Sequence, residues 1–259
     1  MQTRLHQNNG PRATSGASNA PATQGRKVTP RRADRDGLAK ITSIEQLVAL
    51  QNEKLLRHPY FRLCRTKAIG RNHLLAVVKQ MYGFSTLFER ILTRRIAEAS
   101  FNSDERVLSV ARRHLREEFG HPDLFHDCLL KNGLSKADLA RVSPNTFLRA
   151  LFGYLLATVQ HENEYVGNVA IMQVMETIGL HVFGATLAVM QQYGLVSTAL
   201  EQHTEDDEAH SQLGLDLIPS FDAQTMSTCR RVIEDVYRLM GLVLDEFVAL
   251  GNGEQEGRA

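Results

Sequence analysis

The sequence predicts an all-α, single-domain fold of about seven helices behind a disordered leader. Three observations carry that reading. From about Thr42 onward, apolar residues recur three and four apart, the spacing of one helix face. No stretch alternates apolar and polar residues as a half-buried strand does, and no hairpin dipeptide separates two apolar runs. The chain is 43% apolar and 23% charged over 259 residues, enough for a sizeable core.

Residues 1–40 carry eight Lys/Arg and two Asp/Glu, which leaves 22 basic and 27 acidic residues in 41–259. This leader is rich in Asn, Pro, Ala, Ser, Thr and Gly. It lacks the large apolar residues that would offset the entropy of ordering it, so it reads as disordered. A basic, acid-poor start suits a transit peptide, a nucleic-acid arm or an unselective flexible leader. The body has no basic patch, which argues against a nucleic-acid partner. No run of 18 apolar residues and no secretory h-region is visible, so neither a membrane span nor a membrane partner is expected. Cys64, Cys128 and Cys229 are odd in number and in no CxxC pattern, as expected of a reducing, cytoplasmic setting.

The helices follow in order. Thr42-x-x-Glu45 reads as a capping box opening a helix to Leu55, which His58-Pro59 ends. A second helix spans about Asn72 to Ala99. Asn102-Ser103-Asp104 caps a third, which runs to Glu118, and Gly120 and Pro122 disturb it before it resumes to Gly133. Ser135-x-x-Asp138 starts a short helix, and Ser143-Pro144 opens a longer one. Gly167 to Gly194 is apolar nearly all round and reads as a central buried helix. His203 to about Leu217 forms another, stopped by Pro219. A last amphipathic helix covers about Ala223 to Leu250, and 251–259 is a flexible tail. The folded domain is 41–250.

Chemistry concentrates in His203-x3-Asp207-x2-His210. On a helix these three side chains share one face, and two imidazoles with a carboxylate suit a divalent transition metal. The alternative is a solvated helix start, since Glu205, Asp206 and Glu208 are also acidic and acids are favoured there. Glu118-x2-His121 has the spacing of the Glu-x-x-His pairs that helix bundles use for carboxylate-bridged di-iron sites. A surface charge run ending a helix is its plainer reading, and His126 rivals His121. Glu176 sits among apolar neighbours, where an unpaired carboxylate is costly to bury. It must face water, a cation or a metal. Together Glu118, His121, Glu176, His203, Asp207 and His210 suit two irons better than tetrahedral zinc. His58, His73, His114, His161 and His181 show no such grouping and read as structural or surface residues. No serine elbow or cysteine with a base partner is evident, and no catalytic residue is assigned beyond the metal ligands.

These motifs, with His58-Pro59-Tyr60-Phe61 and Gln80-x-Tyr82 near the start, resemble the haem-oxygenase-like di-iron oxidases over roughly residues 43–245. The wider superfamily includes thiaminase II and pyrroloquinoline quinone synthase. The resemblance implies a seven-helix haem-oxygenase-like bundle holding Fe(II), two per chain. It implies O2 as co-substrate and oxidation of a small-molecule substrate: an amine, amino acid or fatty acid, by N-oxygenation, desaturation or C–C cleavage. An external electron donor and a homodimer are further expectations from it. Tyr82, Phe84, Met172 and Met175 are the expected pocket lining. The alternatives are a metal-free superfamily member, either a cofactorless oxidase or a thiaminase-type hydrolase, and a non-catalytic helical binding protein.

Overall fold

The computed structural model describes residues 32–102 and 104–251. Among them there is no strand. The α-helices are α1 (Arg32–Leu55), α2 (Pro59–Arg65), α3 (Arg71–Asn102), α4 (Glu105–Glu118), α5 (His121–Lys131) and α6 (Lys136–Leu139). They continue with α7 (Thr146–His161), α8 (Glu164–Asn168), α9 (Glu176–Gln192), α10 (Thr198–His210) and α11 (Ala223–Ala249). A π-helical turn, Val169–Met175, joins α8 to α9 in one continuous rod, and a 3₁₀ segment, Leu215–Ser220, precedes α11. The short α2, α6 and α8, and the break that divides the expected third helix into α4 and α5, account for the excess over the expected seven.

Local chemistry places most of the boundaries. His58 caps α2, its Nδ1 accepting from the Tyr60 N–H, and Pro59 takes the first helical position. Asp104 caps α4 by accepting from the Arg106 N–H, and Ser135 and Asp138 form a reciprocal capping box on α6. Two expectations are corrected. Helix α1 starts at Arg32, so Thr42 lies inside it and residues 32–40 are helical; alanine, leucine, lysine and arginine there are good helix formers. The rest of the expected leader, and 252–259 of the tail, lie outside the described residues. Helix α10 starts at Thr198 and ends at His210, so the His203 motif occupies its last turns rather than a helix start.

The core runs the length of the bundle. Helix α7 packs between α3 and α11, α9 packs on α10, and α4 and α5 both lean on α3. Leu74, Val78, Leu92, Leu151, Leu155, Val232, Val236 and Leu244 are all buried in it. A fully buried side chain of this kind contributes about 1.5–3 kcal/mol. The α8–α9 rod, Glu164–Gln192, is long and apolar enough to cross a membrane by length and composition, but 61% of its apolar window is buried. Here it is the central core helix, as its all-round apolarity requires.

Candidate metal centre

Four elements converge inside the bundle. Glu118 is the last residue of α4 and His121 the first of α5. Between them Phe119 is extended and Gly120 adopts φ +93°, a conformation that disfavours any residue with a Cβ. That break, rather than one helical turn, turns both side chains inward. The Gly120 N–H is tied down by Glu89 Oε1 at 3.1 Å. Glu176 follows the π turn directly; such turns are frequent at functional sites because they shift the side-chain register. The turn is pinned by Gln173, whose Nε2 donates to the Leu213 carbonyl at 2.9 Å. His203, Asp207 and His210 come from one face of α10.

All six residues are buried, none more than 6% exposed. A seventh joins them: His114, fully buried on α4, with its Nε2 3.1 Å from Glu176 Oε1 and 3.9 Å from Glu118 Oε1. The expectation that His114 is merely structural or surface is thereby corrected as to place. The signal was present. His114-x3-Glu118-x2-His121 has the same spacing as His203-x3-Asp207-x2-His210. His126 is not part of the cluster; its ring packs near Tyr82, and its Nδ1 faces Asp127.

The potential ligand atoms fall into two groups that share Glu118. Those of His114, Glu118, Glu176 and His210 lie within 4.8 Å of one another, and so do those of Glu118, His121 and His203. Asp207 lies beside the second group, its Oδ1 3.4 Å from His203 Nδ1. His210 Nδ1 is 3.1 Å from Glu118 Oε1 and 3.5 Å from Glu176 Oε2, while its Nε2 faces Glu117 Oε2 at 3.2 Å. Helix α9 makes room for the acid: a Cβ on Gly179 would stand 2.5 Å from Asp207 Oδ2.

The cluster is electrostatically strained without a cation. Burial beside Glu176 and Glu118 pushes the Asp207 carboxyl well above its usual range. Burial opposes charge on Glu118 and Glu176 too, but hydrogen bonds and charge from the neighbouring histidines hold both below the ordinary carboxylate value. His203, its ring 5.3 Å from Phe125 and 4.7 Å from Phe183, is pushed by burial down to about 4. His210, despite burial, is raised to about 10 by Glu118 and Glu176. Three buried atoms here, His121 Nε2, His203 Nε2 and Asp207 Oδ2, have no hydrogen-bond partner among the described residues. Orphaned atoms among four imidazoles and three carboxylates that converge on one buried spot are the arrangement a metal ion resolves. Mixed imidazole and carboxylate donors fit iron.

Beside the cluster is a cavity of about 80 Å³, walled by Met81, Phe84, Phe88, Phe125, Phe183 and Val243 among others. Of the expected pocket residues, Phe84 and Met175 line it. Tyr82 and Met172 do not. Met81, Phe84, Ser85 and Phe88 share the cavity face of α3, which turns Tyr82 toward His126, and Met172 in the π turn receives an Arg95 N–H on its sulfur at 3.2 Å.

The family model described as iron-containing redox enzyme matches residues 75–242. The chain belongs to this family. The matched span takes in all seven clustered residues. Among solved structures, the chain is similar to a domain of unknown function with a haem oxygenase-like fold from Shewanella denitrificans. That match has TM-score 0.71 and 17% identity, covering 84% of this chain and 95% of that one. It is similar also to a TenA homologue from Pseudomonas syringae (TM-score 0.63, 13% identity, 84% and 93% covered). A TenA homologue from P. horikoshii gives TM-score 0.59 at 16% identity, with 83% and 99% covered. At these identities the likeness shows the haem oxygenase-like fold alone. Among curated proteins none matches.

Proposed function

We propose that this member of the iron-containing redox enzymes is a non-haem, O2-dependent di-iron oxidase or oxygenase acting on a small organic substrate. One observation carries the reading: the buried imidazole and carboxylate ligand atoms form two groups hinged on Glu118, the arrangement two metal ions need. Glu118, His121, Glu176, His203, Asp207 and His210 would hold the metal. Bound ferrous iron would supply the electrons and open coordination positions that O2 chemistry requires.

The chain's own residues do the rest. Glu117 faces His210 Nε2 and fixes the ring so that Nδ1 points inward. His121 Nδ1 sits 2.9 Å from Glu118 Oε2, which leaves His121 Nε2 free and orients the shared carboxylate. Phe125 and Phe183 flank His203 and keep water from its face. Away from the cluster the cavity wall is aliphatic and aromatic except for Ser85 and Glu89, which are tied to the Tyr82 carbonyl and the Gly120 N–H, and it includes no lysine or arginine. It therefore suits the apolar part of a substrate, held against the cluster by burial rather than by a side-chain cation. Such a wall is better matched to an alkyl chain than to a zwitterionic amino acid.

The metal-free hydrolase reading has less support. No cysteine lines the cavity, and the Ser85 hydroxyl there is committed to the Tyr82 carbonyl at 2.8 Å. The test is O2 uptake by the ferrous-loaded and metal-free protein with amines, amino acids and fatty acids. Substrate-dependent uptake by the loaded form only is expected. Equal turnover by the metal-free form would replace the reading with the metal-free one.

A further inference from the structure

The two His-x3-acid-x2-His stretches give His114 and His203 equivalent places, and His114 Nε2 sits among the ligand atoms. The second ring nitrogen separates them. A neutral imidazole that binds metal through one nitrogen carries its proton on the other, and that N–H needs an acceptor. Three histidines satisfy this. His210 Nε2 faces Glu117 Oε2 at 3.2 Å, His121 Nδ1 faces Glu118 Oε2 at 2.9 Å, and His203 Nδ1 faces Asp207 Oδ1 at 3.4 Å.

His114 does not. Its Nδ1 faces Arg95 Nη1 at 3.5 Å, and a guanidinium has five N–H donors and no acceptor. Arg95 is itself buried and held in place: its Nη2 donates to Asn168 Oδ1 at 2.5 Å, and its Nη1 also reaches Met172 Sδ at 3.2 Å. The ring cannot turn over without bringing a proton against that fixed cation. His114 Nδ1 therefore presents its lone pair to Arg95, and its proton lies on Nε2. The nitrogen that carries it lies 3.1 Å from Glu176 Oε1.

We propose that His114 is a positioning residue and not a metal ligand: locked by Arg95 in the Nε2–H form, it holds Glu176 in place by donating to its carboxylate. This deepens the reading above, and rests on it, by fixing which of the four histidines leave the first coordination sphere. Asn168 immediately precedes the π turn that delivers Glu176 and Met172 lies within it, so the same network sets both the carboxylate and its helix.

The test is anaerobic ferrous titration of wild type, His114→Gln, His114→Phe and His210→Ala, each checked for folding by circular dichroism. It is joined by ¹⁵N NMR of the histidine rings in the metal-free wild type, with His114 assigned by its absence from His114→Gln. The expected results are an Nε2-protonated His114 ring and a wild-type metal count in His114→Gln, whose amide can still donate to Glu176. His114→Phe should keep the count with affinity lowered about 10- to 100-fold, the cost of losing an outer hydrogen bond. His210→Ala should lose one equivalent. Loss of one equivalent in His114→Gln, or an Nδ1-protonated His114, overturns the proposal. A wild type that binds no iron overturns the di-iron reading instead, and the NMR result still decides the state of His114.

Discussion

Replacing Asp207 by asparagine should move metal-free stability and metal binding in opposite directions. Asp207 is 1% exposed, its Oδ2 has no hydrogen-bond partner, and Glu118 and Glu176 are its acidic neighbours. An unsatisfied buried polar group of this kind costs about 1–3 kcal/mol. Asparagine keeps the shape, removes the like charge and offers an N–H to Glu176. The metal-free variant should therefore be more stable by about 1–2 kcal/mol, a rise of about 2–8 °C in Tm for a domain of this size. With metal the order changes. At a free metal concentration of about 100 Kd, binding stabilises the wild type by about 2.7 kcal/mol, or about 5–11 °C. If the lost carboxylate weakens binding about 100-fold, the same metal concentration stabilises the variant by only about 0.4 kcal/mol, or about 1–2 °C. Differential scanning fluorimetry of chelated and ferrous-loaded samples under argon reads both quantities. A lower metal-free Tm in Asp207→Asn, or an undiminished metal-induced rise, would refute the view that the cluster is strained until a cation fills it.

Gly179→Ala should weaken metal binding at least about tenfold while changing metal-free Tm by only about 2–4 °C, because alanine is normally about 1 kcal/mol better than glycine in a helix but its Cβ would strike Asp207 Oδ2; isothermal titration and melting curves check the pair. Phe125→Ala, at a fully buried position, should cost about 3–5 kcal/mol in denaturant unfolding and expose one face of His203. Leu148→Phe, which fills part of the cavity wall, should leave iron content unchanged while reducing substrate-dependent O2 uptake; an unchanged uptake would move the substrate elsewhere. Asp104, held down to about 2 by hydrogen bonds from Arg106 and Tyr165, has a native value below its unfolded one. Its contribution is complete above about pH 4 and is lost as pH falls toward 2, so urea midpoints of wild type and Asp104→Asn should converge below that window.

Much of the fold was legible because its signals are local. Helical spacing, Asp104, the Ser135 capping box and the His58-Pro59 break depend on residues within a few positions of each other. The start of α1 was misplaced because Thr42-x-x-Glu45 imitates a cap that the good helix formers before it override. At the site, the His203 motif stood out because three side chains on one helix face need no tertiary information. Glu176 stood out because its neighbours are apolar. His114 was passed over although its spacing to Glu118 matches that of His203 to Asp207: its inward direction is set by how α4 packs on α3. Arg95 could not be read as its partner from sequence, since 19 residues and a helix turn-round separate the two. The π turn before Glu176 was invisible too, because an all-apolar run gives no register to read.

The most direct test of the account is anaerobic ferrous titration followed by Mössbauer spectroscopy before and after exposure to O2. The account predicts two high-spin ferrous ions per chain, both oxidised on exposure, and one fewer ion in His210→Ala. A protein that takes up no iron beyond adventitious levels, with His210→Ala indistinguishable from wild type, would contradict it.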